Sequence, residues 1–349
     1  MVEILCPFLL SLAAAIPAIA VTKRWAERRE ILDHPNERSS HSTPTPRGGG
    51  LAIVVTTLLA AAIVELRNGD WPLRWFAAVT MTAILVALVG WLDDLYTLSS
   101  LLRIGVHLLA ASLLMMTVGF WTELPMIGRV PAIVGVGLTL LWIVGLTNAY
   151  NFMDGIDGIA GGQAVVAGLG LAWLVWSSGD KTTAGFGMAI AGSATGFLFY
   201  NWQPARIFMG DVGSSFLGFL FASLTLVSSH HGSRFIVAGF LVVWPFVFDS
   251  AFTFLRRLRR GERVFEAHRS HLYQRLVRTG VSHAVVAKLY MALAAAGVVA
   301  AIPVKLGVFR ANAWAAGSVG LLASALWIVV VVRERQLREG ISHAHGPER

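Results

Sequence analysis

Charged side chains and cysteine are both scarce in this sequence. Asp, Glu, Lys and Arg make up 14% of the 349 residues, whereas a soluble domain carries about a quarter. Hydrophobic residues account for 56%, so most of the chain is expected to lie in lipid, which leaves no room for a second large soluble domain. The single cysteine, Cys6, excludes an internal disulfide framework and a cysteine-based metal site.

Eleven apolar segments of about 20 residues are long enough to cross a bilayer as helices. The first has no basic segment before it and ends in Lys23-Arg24, so it is predicted to be a span rather than a cleaved signal peptide. The sequence therefore predicts an all-α polytopic membrane protein of about eleven transmembrane helices. The predicted spans are 2–22, 48–66, 72–92, 101–121, 131–149, 158–177, 183–200, 212–229, 235–255, 284–303 and 310–332.

Basic residues fall mostly on one side of this topology. Twenty of the 28 Lys and Arg share a side with loops 23–47 and 256–283, against seven on the other side. The positive-inside rule places that side in the cytoplasm, with the N-terminus outside and the C-terminus inside. The same bias explains the net charge of +8, so no nucleic-acid partner is expected. Residues 1–332 are predicted to form one membrane domain, and the polar tail 333–349 is expected to be cytoplasmic and unstructured.

Seven of the nine aspartates fall on or near the cytoplasmic side of this topology. A carboxylate beside the bilayer core is costly unless a cation or a function compensates it. For Asp33 and Asp249, pairing with nearby arginines such as Arg256 is the alternative explanation. The remaining five occur in unusual local sequences and are predicted to be functional: Asp93, Asp94, Asp154, Asp157 and Asp211.

Three polar segments carry these aspartates. Asp93 and Asp94 are adjacent and repel each other unless a cation or a shared proton relieves them. Asn151, Asp154 and Asp157 recur at spacings of three, which aligns them on one face of any helical turn, and glycines beside them permit close approach of a ligand. Asp211 opens a predicted helix, where free N–H groups can bind an anion. Oxygen ligands without cysteine favour Mg²⁺, with Mn²⁺ as the alternative.

The last loop, 256–283, is strongly basic and contains His268-Arg269-Ser270-His271. Its arginines are explained by topology and by attraction to anionic lipid. The two histidines could indicate zinc, but no second His pair or short-spaced Cys pair supports it. Recognition of a polyphosphate is the favoured interpretation for this His-Arg-Ser-His segment, because it shares the predicted face with the carboxylates.

Together these segments resemble the polyprenyl-phosphate N-acetylhexosamine-1-phosphate transferases, a glycosyltransferase family 4 type. That family includes enzymes that initiate O-antigen and teichoic-acid synthesis and the phospho-N-acetylmuramoyl-pentapeptide transferase of peptidoglycan. The segment Thr43-Pro-Thr-Pro-Arg-Gly-Gly-Gly50 is similar to the family's first loop. The resemblance implies that Asp93 and Asp94 handle the lipid phosphate and the metal, and that Asp211 binds Mg²⁺. It also implies a nucleotide-sugar pocket, formed by Asn151, Asp154, Asp157, Asn201, Phe208, His268, Arg269 and His271.

Two departures separate this chain from the peptidoglycan enzyme. It lacks the run of three histidines in the last loop, and His41-Ser42 stand where that enzyme has a lysine. Both favour the branch that initiates O-antigen or another surface polysaccharide. The reaction implied is transfer of N-acetylhexosamine-1-phosphate from a UDP-sugar to undecaprenyl phosphate, at the inner face of a bacterial plasma membrane. The sugar stays open between N-acetylglucosamine and 6-deoxy relatives such as N-acetylfucosamine or N-acetylquinovosamine, and a homodimer is left open.

An ion-coupled secondary transporter is the alternative from another class. Such carriers also contain intramembrane carboxylates and helices broken by Gly and Pro. Their sites lie near the middle of the bilayer, whereas the aspartates here are predicted at the ends of spans. The transferase is therefore the preferred interpretation.

Overall fold

The computed structural model describes residues 2–33, 43–262 and 269–344. Within these ranges the chain forms twelve α-helices and a short 3-10 turn at Ser229–His231. The predicted all-α architecture is confirmed. In chain order the helices are α1 Val2–Arg28, α2 Gly50–Asn68, α3 Leu73–Tyr96, α4 Ser100–Val118, α5 Ala132–Phe152, α6 Ile159–Trp176, α7 Lys181–Asn201, α8 Asp211–Ser228, α9 Arg234–Arg259, α10 Leu272–Arg278, α11 His283–Lys305 and α12 Ala311–Ala344.

Two pairs of two-residue strands lie in the connections between α1 and α2 and between α4 and α5. The strand β1 Leu32–Asp33 pairs antiparallel with β2 Thr45–Pro46, with Leu32 opposite Pro46. The strand β3 Glu123–Leu124 pairs antiparallel with β4 Gly128–Arg129, with Glu123 opposite Arg129. The first pair matters for the site, because it closes the connection between α1 and α2.

Each of the eleven predicted spans corresponds to one of the long helices, with ends that differ by a few residues. In the described part of the chain, ten helices are long and apolar enough to cross a membrane. The eleventh, α7, has 21 residues but is rich in Gly, Ala, Ser and Thr and falls outside that set. It runs antiparallel to α6, since Gly161 packs on Leu198 near one end and Gly168 packs on Gly187 further along. Helix α7 therefore covers the same thickness of the bundle as α6.

Four helices extend four or more residues past their predicted ends, and α10 is a short addition within the predicted loop 256–283. Helix α1 continues to Arg28, α3 to Tyr96, α9 to Arg259 and α12 to Ala344. The expectation of an unstructured tail is therefore wrong for residues 333–344. Glu334 on this extension accepts two hydrogen bonds from Arg275 of α10, at 2.8 Å from Nε and 2.6 Å from Nη2. This bidentate pair ties the end of α12 to the last loop.

Helix α8 forms the centre of the bundle. Every residue from Val212 to Ser228 is buried, and the helix packs against α2, α3, α5 and α9. Helix α2 approaches it very closely, because a Cβ on Gly50 would lie 2.3 Å from the Cα of Gly213. Small residues permit such close helix packing in membrane bundles. The end of the bundle where α8 begins, and where α3 and α5 end, is called the site face below.

Candidate active site at the start of the central helix

Asp211 lies at the first position of α8 and is held by two arginines. Nη2 of Arg47 donates to its Oδ1 at 2.5 Å, and Nη1 of Arg103 donates to its Oδ2 at 2.8 Å. The side chains of Asp93 and Asn151 also lie near this carboxylate and interact with it. The Asp211 side chain is 14% exposed, so a ligand arriving from the site face can reach it.

Asp93 is linked to the same group through Arg103. Nη1 of Arg103 donates to Oδ2 of Asp93 at 2.7 Å, as well as to Asp211. The other oxygen of Asp93 accepts the backbone N–H of Leu98 at 2.6 Å, which closes the turn after α3. Asp93 and Asp211 are thus paired carboxylates that share one guanidinium.

Asp94 has a different position from its neighbour. Its carboxylate accepts the backbone N–H groups of Asp211 at 2.8 Å and Val212 at 3.2 Å, and it pairs with Nε of Arg47 at 2.8 Å. The side chain is fully buried. A carboxylate at the N-terminus of a helix satisfies otherwise unpaired N–H groups and interacts favourably with the helix dipole. Asp94 is therefore a positioning residue that fixes the start of α8.

Gly210 makes this contact possible. It has φ of 78° and ψ of 170°, a backbone region that is essentially restricted to glycine. A Cβ at this position would lie 2.4 Å from Oδ2 of Asp94. A larger residue would push the carboxylate away from the helix N-terminus.

Arg47 is delivered to the site by the connection between α1 and α2. Its backbone N–H donates to the carbonyl of Ile31 at 3.1 Å, next to the β1–β2 pair. On the other side, the N–H of Phe208 donates to Pro46 at 2.8 Å and the N–H of Gly49 donates to Phe208 at 2.9 Å. Burial lowers the pKa of Arg47, but the carboxylates of Asp94 and Asp211 outweigh it and raise the pKa above its usual value. The guanidinium is therefore a permanent positive charge.

Asn151 and Asp154 come from the end of α5. Nδ2 of Asn151 donates to Oγ of Ser214 at 3.0 Å, so the α5 terminus is bonded to the first turn of α8. Burial raises the pKa of the Asp154 carboxyl well above its usual range, and the negative charge of Asp211 raises it further. The structure thus places Asn151 against the first turn of α8 and Asp154 within the electrostatic influence of Asp211. Their contact with a nucleotide sugar stays a prediction.

Asp157 and Asn201 join the polar segments to each other. Oδ2 of Asp157 accepts the N–H of Ala205 at 3.1 Å, and its Oδ1 lies 3.4 Å from Nδ1 of His283. Asn201 accepts the N–H of Gly158 and donates to the carbonyl of Ile207, both at 2.9 Å. With both ends of its buried amide bonded to backbone, Asn201 braces the loops rather than presenting a free amide. This geometry does not favour the contact with nucleotide that the family resemblance implies for Asn201.

Phe208 lies half-buried between the first loop and the start of α8. Its backbone carries the hydrogen bonds to Pro46 and Gly49 described above. The predicted stacking of its ring on a base stays a prediction, and a half-buried aromatic ring is suited to it.

His271 is anchored by Asp249, which is fully buried in α9. Asp249 lies 3.4 Å from Nδ1 of His271, accepts the N–H groups of Leu272 and Tyr273 at 2.8 and 3.1 Å, and accepts the hydroxyl of Tyr290 at 2.6 Å. The alternative of an Asp249–Arg256 pair is therefore wrong. Asp249 instead fixes the start of α10 and the histidine that precedes it.

Tyr273 connects this histidine segment to the α5 terminus. Its hydroxyl donates to the carbonyl of Phe152 at 3.0 Å, and a Cβ on Gly155 would lie 2.1 Å from the same hydroxyl. The close approach that Gly155 permits is thus to Tyr273 and not to a ligand. Arg269 lies among other arginines in the segment before α10, and His268 lies outside the described residues.

The donor set at Asp211 is compatible with Mg²⁺. Across residues 2–33, 43–262 and 269–344, no three His, Cys, Asp or Glu side chains converge as a ready-made metal cage. Magnesium in phosphate-handling sites commonly takes only one or two carboxylates, with substrate phosphates and water completing its shell. Asp93 and Asp211 both accept from Nη1 of Arg103, at 2.7 and 2.8 Å, so the two carboxylates lie close enough together to share a cation.

Several functional residues could not be identified from the sequence. Arg103 indicates only topology there, and Arg47 enters only as part of the segment similar to the family's first loop. In the structure both arginines bind the carboxylates of α3 and α8. The three glycines after Arg47 were a usable signal, because they mark a tightly packed backbone. Tyr273 and His283 carried no signal of this kind, since their partners are distant in sequence.

The fold and the site define an integral membrane protein whose acidic site, flanked by arginines, is suited to phosphoryl chemistry. Residues 76–229 match the glycosyl transferase family 4 model. The chain is similar to a Bacillus subtilis protein named probable undecaprenyl-phosphate N-acetylglucosaminyl 1-phosphate transferase. The two are 33% identical over 293 residues, and the alignment covers 81% of this chain and 80% of that protein. The chain belongs to this family, and the resemblance found in the sequence is confirmed.

Two further relatives show how similarity is distributed. The decaprenyl-phosphate N-acetylglucosaminephosphotransferase of Mycobacterium tuberculosis is 32% identical over 309 residues, covering 79% of this chain and 76% of that protein. A phospho-N-acetylmuramoyl-pentapeptide-transferase of Synechococcus is 32% identical over 225 residues, covering 60% and 63%. The muramoyl enzyme thus matches over a shorter part of the chain, consistent with the two departures noted in the sequence.

Proposed function

We propose that this protein transfers N-acetylglucosamine-1-phosphate from UDP-N-acetylglucosamine to undecaprenyl phosphate or a similar polyprenyl phosphate. The products are polyprenyl-diphospho-N-acetylglucosamine and UMP. The observation that carries the proposal is the Asp211 group: a reachable carboxylate at the start of a buried helix, paired with Asp93 and flanked by Arg47 and Arg103. The relatives' names supply the sugar and the lipid.

The reaction joins two phosphate groups that repel each other. An oxygen of the polyprenyl phosphate attacks the phosphorus that carries the sugar, and the bond from that phosphorus to the bridging oxygen of UMP breaks. UMP leaves with the electron pair of that bond. A phosphomonoester has a second pKa of about 6, so the acceptor oxygen is already ionised at neutral pH and needs no general base.

The residues of the site have distinct roles in this proposal. Arg47 and Arg103 hold Asp211 and place two positive charges where phosphates arrive, and Asp93 shares Arg103 with Asp211. Asp211 and Asp93 would hold Mg²⁺, which when bound offsets phosphate charge and orients the diphosphate. Asp94 acts through Asp211 by fixing the helix start. Asp154 and His271 are proposed to contact the nucleotide sugar.

Location supports the same chemistry. The site face lies where helices end, which is the depth of lipid phosphates. UDP-sugars are cytoplasmic, so we place the site face on the inner side of a bacterial plasma membrane, in accord with the excess of basic residues there. The product would initiate O-antigen or another surface polysaccharide. A 6-deoxy N-acetylhexosamine is the alternative sugar, because one hydroxyl separates it from N-acetylglucosamine.

The ion-coupled transporter is disfavoured by the positions of the aspartates. Asp93, Asp94, Asp154 and Asp211 lie at helix ends rather than midway along broken helices. Asp249 lies deeper in α9, but four hydrogen-bond partners already occupy it.

Release of UMP by the purified protein tests the proposal. The protein is incubated with Mg²⁺, a short-chain polyprenyl phosphate and a panel of UDP-N-acetylhexosamines, and EDTA is expected to abolish the reaction reversibly. Asp211→Asn is expected to lose activity at saturating Mg²⁺, whereas Asp70→Asn, at the opposite end of the bundle, is expected to retain it. No UMP from any donor would refute the transferase, and near-normal turnover of Asp211→Asn would refute the metal assignment alone.

A further inference from the structure

A basic cavity lies on the site face, away from Asp211. It has a volume of about 220 Å³ and lies between the end of α9, the segment before α10, α10 itself and the extension of α12. We call it the arginine pocket. Among the described residues, its charged lining consists of one glutamate, Glu334, and six arginines: Arg256, Arg260, Arg269, Arg275, Arg278 and Arg338.

Positive charge exceeds negative charge in this pocket. Glu334 is fully engaged by the bidentate pair with Arg275, and Glu262 approaches Arg260 only to 3.9 Å. Nε of Arg256 is buried and has no hydrogen-bond partner among the described residues, while its Nη2 donates to the carbonyl of Ser270. Like charges this close repel one another unless an anion lies between them.

Topology alone does not require this arrangement. Retention of a loop on one side of a membrane depends on the number of basic residues there, and not on their convergence in a cavity. Here four separate segments turn arginines toward one space, and the Arg275–Glu334 pair holds two of those segments together. Guanidinium groups are suited to phosphate, because they donate two parallel hydrogen bonds to its oxygens.

The surroundings favour a phosphate that belongs to a lipid. Next to the lining arginines, α9 exposes Leu255, which precedes Arg256 and is 51% accessible, and α12 exposes Leu337, which precedes Arg338 and is 42% accessible. A ligand in the pocket therefore has apolar surface beside it. We propose that the arginine pocket binds the phosphate of an anionic membrane lipid, with the acyl chains against these side chains.

A thermal-shift titration tests this inference independently of enzyme activity. Purified protein in neutral detergent is titrated with phosphatidylglycerol, with phosphatidylcholine as the uncharged-headgroup control and pyrophosphate as the soluble phosphate. The pocket variant is Arg260→Gln with Arg338→Gln, both at exposed positions. The matched control is Arg259→Gln with Arg335→Gln, which removes the same charge from the same helix ends outside the pocket.

Phosphatidylglycerol is expected to raise Tm saturably in the wild type and in the control variant. The pocket variant should need about 30-fold more of it, because two surface arginines are lost. If the pocket variant starts from a lowered Tm, Arg278→Gln replaces it and should show a weaker response than the wild type. Equal responses of pocket and control variants overturn the inference. A pyrophosphate shift that is lost in the pocket variant, with the phosphatidylglycerol shift unchanged, assigns the pocket to soluble phosphate and also overturns it.

Discussion

Replacing Asp94 by asparagine should unfold the start of α8 rather than only remove a charge from the site. The native carboxylate accepts two backbone N–H groups and pairs with Arg47, with no exposed surface. Asparagine keeps one acceptor oxygen and turns an NH₂ group toward a donor. One N–H and the guanidinium of Arg47 then lose their partner in a buried setting.

The size of this effect follows from the hydrogen bond and the ion pair that asparagine cannot form. A hydrogen bond to a charged group contributes ~1.5–3 kcal/mol, and breaking a buried ion pair by removing one partner costs ~3–5 kcal/mol. We therefore expect Asp94→Asn to lower the free energy of unfolding by ~3–5 kcal/mol. A clearly reduced Tm and low UMP release should occur together.

Asp93→Asn is the matched control for this substitution. Asp93 is the adjacent residue and also loses one negative charge, but its partners are the loop N–H of Leu98 and Arg103, and Arg103 keeps Asp211 as its second partner. Its variant should lower Tm less than Asp94→Asn does and still lose most activity. A wild-type Tm for Asp94→Asn together with lost activity would refute the reasoning, because Asp94 would then act on substrate or metal directly.

Three further substitutions follow from the same site geometry. Gly210→Ala should destabilise the protein by ~1–3 kcal/mol, because alanine is strained in this backbone conformation, and should reduce UMP release. The control Gly69→Ala is also at positive φ but has open space around it, and it should leave activity intact. Equal activities of the two variants would contradict this prediction. Arg47→Lys should lower kcat/KM about 10- to 150-fold, because lysine cannot bridge two carboxylates and one charge-assisted bond is lost. Unchanged kinetics would show that Arg47 has no role in the reaction. Tyr273→Phe should cost ~1 kcal/mol of stability and raise KM for the nucleotide sugar; an unchanged KM would separate the α10 segment from that pocket.

The helices could be predicted from the sequence because hydrophobicity over about 20 residues depends on local composition alone. Helix α7 shows the limit of that signal. Its Gly, Ala, Ser and Thr residues are explained by packing against α1, α2 and α6, so its position comes from neighbours rather than from its own hydropathy. Helix α7 was nevertheless predicted, as the span 183–200, whereas the extension of α12 was missed because Arg275 stabilises it from another element.

The aspartate motifs indicated which segments meet at the site, but they did not show which partner each side chain contacts. Asp93 and Asp94 are neighbours on one helix and point about 100° apart, so one meets Arg103 and the other meets the N-terminus of α8. Arg47 and Asp211 are separated by 164 positions in the chain, and no local pattern encodes that contact. Asn201 and Asp157 also lie in polar motifs, but their side chains already have partners in the protein. Asn201 bonds to backbone groups, and Asp157 bonds to a backbone N–H and contacts His283.

The burial of α8 also has a genetic consequence. A helix surrounded by protein along its whole length cannot adjust to a changed side-chain volume by moving into lipid, so a substitution at one point displaces its end. Inactivating mutations from a random screen should therefore be spread along α8 as far as Ser228, about 26 Å from Asp211. Substitutions on the outer surfaces of α4 and α12, where many side chains are exposed, should be tolerated much more often.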